Sequence, residues 1–352
     1  MILDDWIEEK IKVKDNLDRQ NLESYQLNTL NNLITYAKQN SPFYRELYKN
    51  LDKINSLDEL YKIPIISDKD IIENGNKMIC VSQSEISRIV TLNTSGTMGQ
   101  YKRIFFTKED QNLTVDFFIH GLSFLVEKND TMMIMMPCER ENSVGDLIKK
   151  ALINMEVTPV LNGTLLSFEK TTDLMIKNNV NSIVGMPVEI LALGRYIKER
   201  KLSIEIKSIL LSADTVNDTF IDEIKNVYNC DVYNHFGMTE TGLGGAVDCI
   251  YHEGMHIREN DLLVEIVNPR TKESLKEGEI GEVLITTLSR KAMPLIRYAT
   301  GDISSITTGN CSCKSILKRL NKIEYRINDR VYLGKNLYIN INMIDNILFK
   351  LK

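Results

Sequence analysis

Between Thr131 and Tyr233 the chain alternates short β-prone runs with stretches of helical periodicity. The β-prone runs are residues 132–136, 157–161, 182–185, 208–212 and 231–233, each gap wide enough for a helix. The clearest helix follows Asn217, where Phe220, Ile224 and Val227 fall on one face. Such alternation is the signature of βαβ units, and it constrains this part of the chain to an α/β fold around a mostly parallel sheet. Sheets of this kind bind ligands at the carboxyl ends of their strands, so the residues that end each run are the first candidates for a site.

The flanks follow a different pattern. Residues 1–90 read as a helical N-terminal segment, with Leu27, Leu30, Leu33, Ile34 and Ala37 at helical spacing up to a break at Ser41-Pro42. Ser41 suits an N-cap and Pro42 the first helical position, where a missing N–H costs nothing. The α/β core then runs over 91–260. From Asp261, residues 262–267 and 282–287 flank a polar segment with Asn268-Pro269 and Gly278, which predicts an antiparallel, β-rich subdomain over 261–325.

The size fits this plan, since 352 residues make room for roughly two domains. Hydrophobic residues are 43% and charged residues 26%, which excludes a largely disordered chain. Lys and Arg total 43 against 48 Asp and Glu, a net charge of −5, so no global attraction to nucleic acid or anionic lipid is expected. A small-molecule or protein partner is the expectation. The opening residues carry Asp4 and Asp5 and no long apolar core, unlike a secretory signal, which points to the cytoplasm. The apolar run 132–137 is far below the ~18 residues of a membrane span. Six cysteines in a chain this long read as reduced thiols or metal ligands rather than a disulfide framework.

Three motifs carry chemistry. Thr94-Ser95-Gly96-Thr97-Met98-Gly99-Gln100-Tyr101-Lys102 alternates hydroxyl donors with two glycines and closes on a lysine. Glycines let backbone N–H groups approach phosphate oxygens, hydroxyls add donors, and lysine adds a point charge, as in anion-binding nests. The spacing of a Walker loop is absent, and a plain Ser/Gly turn is the alternative. The second motif, Tyr233-Asn234-His235-Phe236-Gly237-Met238-Thr239-Glu240-Thr241-Gly242, follows a β-prone run; its hydroxyl and carboxylate suit phosphate and Mg²⁺. In the third, Tyr298-Ala299-Thr300-Gly301-Asp302, the acid suits ribose hydroxyls, and Arg326-Ile327-Asn328-Asp329 follows.

In this order and at these separations the segments resemble the adenylate-forming superfamily of acyl-CoA synthetases, adenylation domains and luciferases, and within it the phenylacetate–CoA ligase branch. The resemblance extends through Asn40-Ser41-Pro42-Phe43-Tyr44-Arg45, residues 209–214, Cys249 to His256, residues 278–282 and residues 292–298. It implies a large domain of mostly parallel sheets flanked by helices, with 261–325 as a distorted barrel. The implied activity is ATP-dependent, AMP-forming activation of an aryl or acyl carboxylic acid to an acyl-adenylate, with transfer to CoA, a carrier protein or another partner protein.

By the same resemblance Thr94, Lys102, Thr239 and Glu240 are catalytic. Lys102 and the 94–102 segment embrace the β,γ-phosphates, Thr239 touches the α-phosphate, and Glu240 holds Mg²⁺. The nucleotide further meets Ser95, Gly96, Thr97, Gly99, Ala213, Asp214, His235, Phe236, Gly237, Met238, Asp302 and Arg326. The carboxylate pocket takes Phe118, Met136, Gly145, Gly185 and His235. Phe118 and Met136 are equally suited to the core, and His235 to a structural hydrogen bond.

In the family a hinge near Arg326 leads to a smaller domain with a catalytic lysine. Here 326–352 corresponds to the hinge and a remnant with room for a short hairpin and one helix. The expectation is slow adenylation by the chain alone and a separately encoded domain or acyl-accepting partner; its apolar residues would meet that partner or pack on the large domain. A homodimer is also compatible. Two other readings stand: an acyl-protein synthetase-like subunit, and a catalytically reduced nucleotide-binding regulatory or scaffold protein. Finally, Cys249, His252, Cys311 and Cys313 form a candidate structural Zn²⁺ set, with His256 as the alternative to His252.

Overall fold

The computed structural model describes residues 2–12, 17–93, 101–214, 218–334 and 337–348. The N-terminal segment is helical: α1 (Ile2–Ile11), α2 (Arg19–Asn40), α3 (Pro42–Leu47) and α4 (Asp68–Asn74). The break between α2 and α3 is the one expected. Ser41 Oγ accepts from the Tyr44 N–H at 3.2 Å, and Pro42 opens the helix. An antiparallel hairpin, β1 (Arg88–Asn93) and β2 (Tyr101–Phe106), leads into α5 (Lys108–Leu122).

The α/β core follows as β3 (Thr131–Met135), α6 (Val144–Asn154), β4 (Thr158–Leu161), α7 (Phe168–Asn178), β5 (Ser182–Gly185), α8 (Pro187–Glu199), β6 (Ser208–Leu211), α9 (Asp218–Tyr228) and β7 (Asp231–Phe236). These five strands are parallel, in the order β4-β3-β5-β6-β7. The sheet then continues antiparallel through β8 (Ala246–Val247) and β9 (Met255–Ile257). Every residue of β5 and β6 is buried, as expected of strands covered on both faces. Side chains alternate between two cores. Met132, Ile134, Val184 and Leu210 pack with α1, α5 and α6, while Met133, Met135, Ile183 and Ile209 pack with α8 and α9.

The β-rich subdomain contains β10 (Leu262–Val267), β11 (Gly281–Thr287) and β12 (Tyr298–Ser304). After these come β13 (Arg319–Leu320), which pairs with β9 and closes the edge of the large sheet, and β14 (Tyr325–Arg326), which pairs with β12. Where the resemblance implied a distorted barrel, the described residues form an open antiparallel sheet, β10-β11-β12-β14, with β10 and β14 at its edges. The N-terminal segment is tied to this sheet by backbone bonds between Ile66 and its neighbours Arg297 and Ala299, at 3.1 and 2.8 Å.

Beyond β14 lie the hairpin β15 (Val331–Tyr332) and β16 (Tyr338–Ile339) and the helix α10 (Ile341–Leu348). Val331, Leu333, Leu337, Ile344 and Ile347 are exposed. Among the described residues no helix is long and apolar enough to cross a membrane.

Candidate active site

The carboxyl ends of the parallel strands lie along one edge of the sheet, which brings Met136, Gly185, Ala213 and His235 to the same side. Beside β5 the chain is tightly packed. A Cβ on Gly185 would lie 2.8 Å from Met135 Cβ, and one on Gly145 would lie 2.7 Å from Cys138 Cβ and 2.9 Å from the Pro137 carbonyl. Both glycines therefore serve close backbone approach. Phe118 and Met136 are buried side chains of the core that backs this edge. Ser212 donates its N–H to Gly185 O at 3.0 Å, and Ala213 then takes φ 71°, a left-handed conformation that an alanine adopts only at a cost of about 1–2 kcal/mol. Ala213 and Asp214 are exposed beyond it.

After β7 the chain turns sharply. A Cβ on Gly237 would meet Leu243 O at 2.4 Å, so only glycine fits there. The turn Thr239–Thr241 is fixed from several sides: the Met238 N–H donates to Thr241 Oγ1 at 3.1 Å, and Thr114 of α5 donates to Gly242 O at 2.7 Å. His235 is half-buried; its Nδ1 is enclosed without a partner among the described residues, and burial lowers its pKa. Phe236 is buried, while Met238 and Thr239 are partly exposed.

This turn presents Glu240, 2% exposed, to the ammonium of Lys102, 6% exposed. The two form a direct ion pair. Asp68, at the start of α4, also meets Lys102 Nζ at 2.8 Å, and the Tyr298 hydroxyl lies 3.2 Å from it and 3.5 Å from Glu240. The Tyr298 hydroxyl in turn donates to Asp68. Four elements thus converge on one cation: β2, α4, the turn after β7, and β12. Burial alone would lower the pKa of Lys102, but Glu240 and Asp68 outweigh it and hold the amine above its ordinary range. Burial, and then the same two acids, push the Tyr298 phenol up. Four residues along β12 from Tyr298, Asp302 pairs with Arg326 of β14 at 3.0 Å, with burial raising its carboxyl to about 6 against the pull of Arg326.

Lys102 and Glu240 are brought together, as are Asp302 and Arg326. Thr94, Ser95, Gly96, Thr97 and Gly99 lie outside the described residues; Asn93 and Tyr101, on either side of them, are paired, so the segment joins β1 to β2 next to Lys102. Asp68 and Tyr298 escaped the sequence reading as site residues. Tyr298 opened the third motif without a role of its own, and Asp68 lay outside all three motifs. Each is far in sequence from Lys102, and only the packing of α4 against β2 and β12 unites them.

For the cysteine set the structure substitutes one residue. The ring that joins Cys249, Cys311 and Cys313 is that of His256, all four ligand atoms lying within 4.8 Å of one another. His252 Nδ1 faces Asp248 at 3.4 Å instead, with its ring against Tyr233.

Residues 33–289 match the family described as AMP-binding enzyme, and the chain belongs to that family. Among its relatives, the phenylacetate-coenzyme A ligase of Thermus thermophilus is 26% identical over 344 residues, covering 92% of this chain and 75% of the relative. The Escherichia coli protein of the same name is 24% identical over 340 residues, covering 90% and 74%. In structure, 2-hydroxyisobutyryl-CoA ligase bound to 2-HIB-AMP and CoA in an open conformation shares the fold with a TM-score of 0.82 at 18% identity, covering 96% of this chain and 82% of that one. The same enzyme in its postadenylation state gives 0.83 over 94% and 73%.

Proposed function

We propose that this protein activates a carboxylic acid with ATP, giving an acyl-adenylate and pyrophosphate, and passes the acyl group to coenzyme A. The observation that carries this reading is the enclosed Lys102–Glu240 pair, with Asp68 and Tyr298 around it and Asp302, on the strand of Tyr298, paired with Arg326 of β14, in a chain of the AMP-binding enzyme family. In the first half-reaction a carboxylate oxygen attacks the α-phosphorus as the bond to the pyrophosphate oxygen breaks. In the second, the CoA sulfur attacks the acyl carbon, its proton passes to solvent, and AMP leaves. Neither step needs a covalent enzyme group. Positioning and charge stabilisation supply the acceleration.

Lys102 offers a fixed cation to the β,γ-phosphates, to which Thr94, Ser95, Gly96, Thr97 and Gly99 would add donors. Thr239 faces the α-phosphate, Ala213 and Asp214 border the base, and residues 235–238 line the wall beyond it. Mg²⁺ fits this donor set: one enclosed carboxylate, Glu240, with the half-exposed Asp68 near it, suits an ion that completes its shell with phosphate oxygens and water. Bound there, the ion would neutralise phosphate charge. The relatives named phenylacetate-coenzyme A ligase support an aryl acid as substrate.

The test is product analysis with ATP, Mg²⁺ and CoA over a panel of aryl, fatty and amino acids. AMP and one acyl-CoA should appear together with an aryl acid; turnover with none of the panel would contradict the reading. Glu240→Gln should suppress turnover while leaving AMP affinity within a few fold, because AMP lacks the β,γ-phosphates whose charge the ion held by Glu240 would neutralise. Equal loss of both would make Glu240 structural.

The Asp302 carboxyl gives a pH signature. As a carboxylate it accepts bonds from ribose hydroxyls, and its pKa is raised to about 6. AMP affinity should therefore weaken as pH falls below about 6, by up to about tenfold per unit, and Asp302→Asn should flatten the profile. An affinity independent of pH from about 5 to about 8 would remove Asp302 from the nucleotide site. The stability effect has the opposite sign: from 3.8 to about 6 the folded state holds the proton more tightly than the unfolded one, so stability falls as pH rises through that window.

A further inference from the structure

At the antiparallel edge of the large sheet three thiols and one imidazole converge. Cys249 follows β8, His256 lies in β9, and Cys311 and Cys313 lie in the loop before β13. The β9–β13 pairing, Arg319 opposite His256 and Leu320 opposite Met255, brings that loop across. Cys249 Sγ is 3.6 Å from Cys311 Sγ, and Cys313 Sγ is 3.3 Å from His256 Nε2. Cys249, Cys311 and His256 are buried, and Cys313 is half-buried.

We propose that Cys249, His256, Cys311 and Cys313 bind one structural Zn²⁺ ion. The distances decide between the chemistries open to such a cluster. A disulfide requires about 2.05 Å between sulfurs, far shorter than the separation here. A zinc tetrahedron with Zn–S near 2.3 Å and Zn–N near 2.0–2.1 Å has edges of about 3.8 Å between sulfurs and about 3.5 Å between sulfur and nitrogen. The Cys249–Cys311 and Cys313–His256 separations match these within a few tenths of an ångström, and all four ligand atoms lie within 4.8 Å of one another. Thiolate with imidazole is the soft donor set of zinc, and four protein ligands leave no open position for a reacting water, so the site is structural.

The surroundings suit a metal. Three thiolates around a dication leave one net negative charge, and the buried Arg319 stands directly opposite His256 in the β9–β13 pair. Arg319 also donates to Gly309 O at 2.6 Å, and the Glu253 carboxylate accepts from Ser312 N and Oγ at 2.7 and 2.6 Å, which hold the Cys-Ser-Cys turn over β9. The ion would lock β13, β9 and β8 to β7. Next to Cys249, Asp248 accepts from Asn234 N and Nδ2 at 2.9 and 3.1 Å, so the clamp reaches the strand that ends in His235 and Phe236. None of the four ligands takes part in the reaction assigned above.

Metal analysis of the full chain purified without chelator should find about one zinc per chain. Cys311→Ser and His256→Gln should lose it and melt at lower temperature, while His252→Gln should keep both zinc and melting temperature. Should the ligand variants fail to fold, cobalt exchanged into the wild-type chain should give the visible absorption of a tetrahedral thiolate complex, and a thiol-blocking mercurial should release one zinc. Less than about a tenth of an equivalent, both as purified and after incubation with zinc and desalting, would overturn the site. Zinc kept by His256→Gln and lost by His252→Gln would overturn the ligand set, and iron at the same stoichiometry would overturn the metal.

Discussion

Lys102→Met should destabilise the protein by about 3–5 kcal/mol, because it strips the buried Glu240 of its direct cation while filling nearly the same volume. Asp68, about half exposed, keeps its hydration and contributes little to that loss. Catalysis should fall by about 10²–10³, the usual effect of losing one preorganised donor aimed at developing charge. The double variant Lys102→Met/Glu240→Gln should recover most of the stability and none of the activity, since it removes the stranded carboxylate without restoring the cation. Urea denaturation of the wild type, the two single variants and the double variant reads the first quantity and pyrophosphate release the second. A Lys102→Met chain as stable as the wild type would mean that the pair is not enclosed as described.

A loss of similar size is expected at Arg297. Its side chain is 2% exposed, pairs through Nη2 with Glu265 of β10, whose side chain is 8% exposed, at 2.9 Å, and donates from Nη1 to the Ile63 carbonyl at 2.7 Å. The N-terminal segment, β10 and β12 are thereby joined at one guanidinium. Arg297→Met should cost about 3–5 kcal/mol, and Arg297→Met/Glu265→Leu should recover much of it, because two apolar side chains pack where an unpaired carboxylate does not. Tyr298 is the next residue and reaches Lys102, so Arg297 acts as a positioning residue. Raising temperature should release the N-terminal segment of Arg297→Met first, read as early loss of amide protection over 63–66. Uniform protection of that segment would contradict the link.

The parallel core was legible because short runs buried on both faces stand out from amphipathic helices. The run 182–185 coincides with β5, and 208–212 exceeds β6 by one residue. The helix expected after Asn217 is α9, with Phe220 and Ile224 buried. Ser41-Pro42 was legible because capping is local chemistry. Strand order was not, since β3 lies between β4 and β5 only through long-range pairing. The same limit hid Asp68 from the Lys102 site and left His252 and His256 as alternatives. Cysteine spacing identifies a possible ligand set, whereas the β9 register decides which imidazole faces it. The open form of the β10-β11-β12-β14 sheet was equally invisible, because closure depends on how edges meet and leaves no periodic trace.

The central claim, that a carboxylic acid is activated on ATP, is tested most directly by exchange of labelled pyrophosphate into ATP by the full chain with Mg²⁺. Exchange should require an added carboxylic acid, should be greatest with an aryl acid, and should drop by about 10²–10³ in Lys102→Met. A chain that binds AMP yet exchanges pyrophosphate with no acid would contradict carboxylate activation.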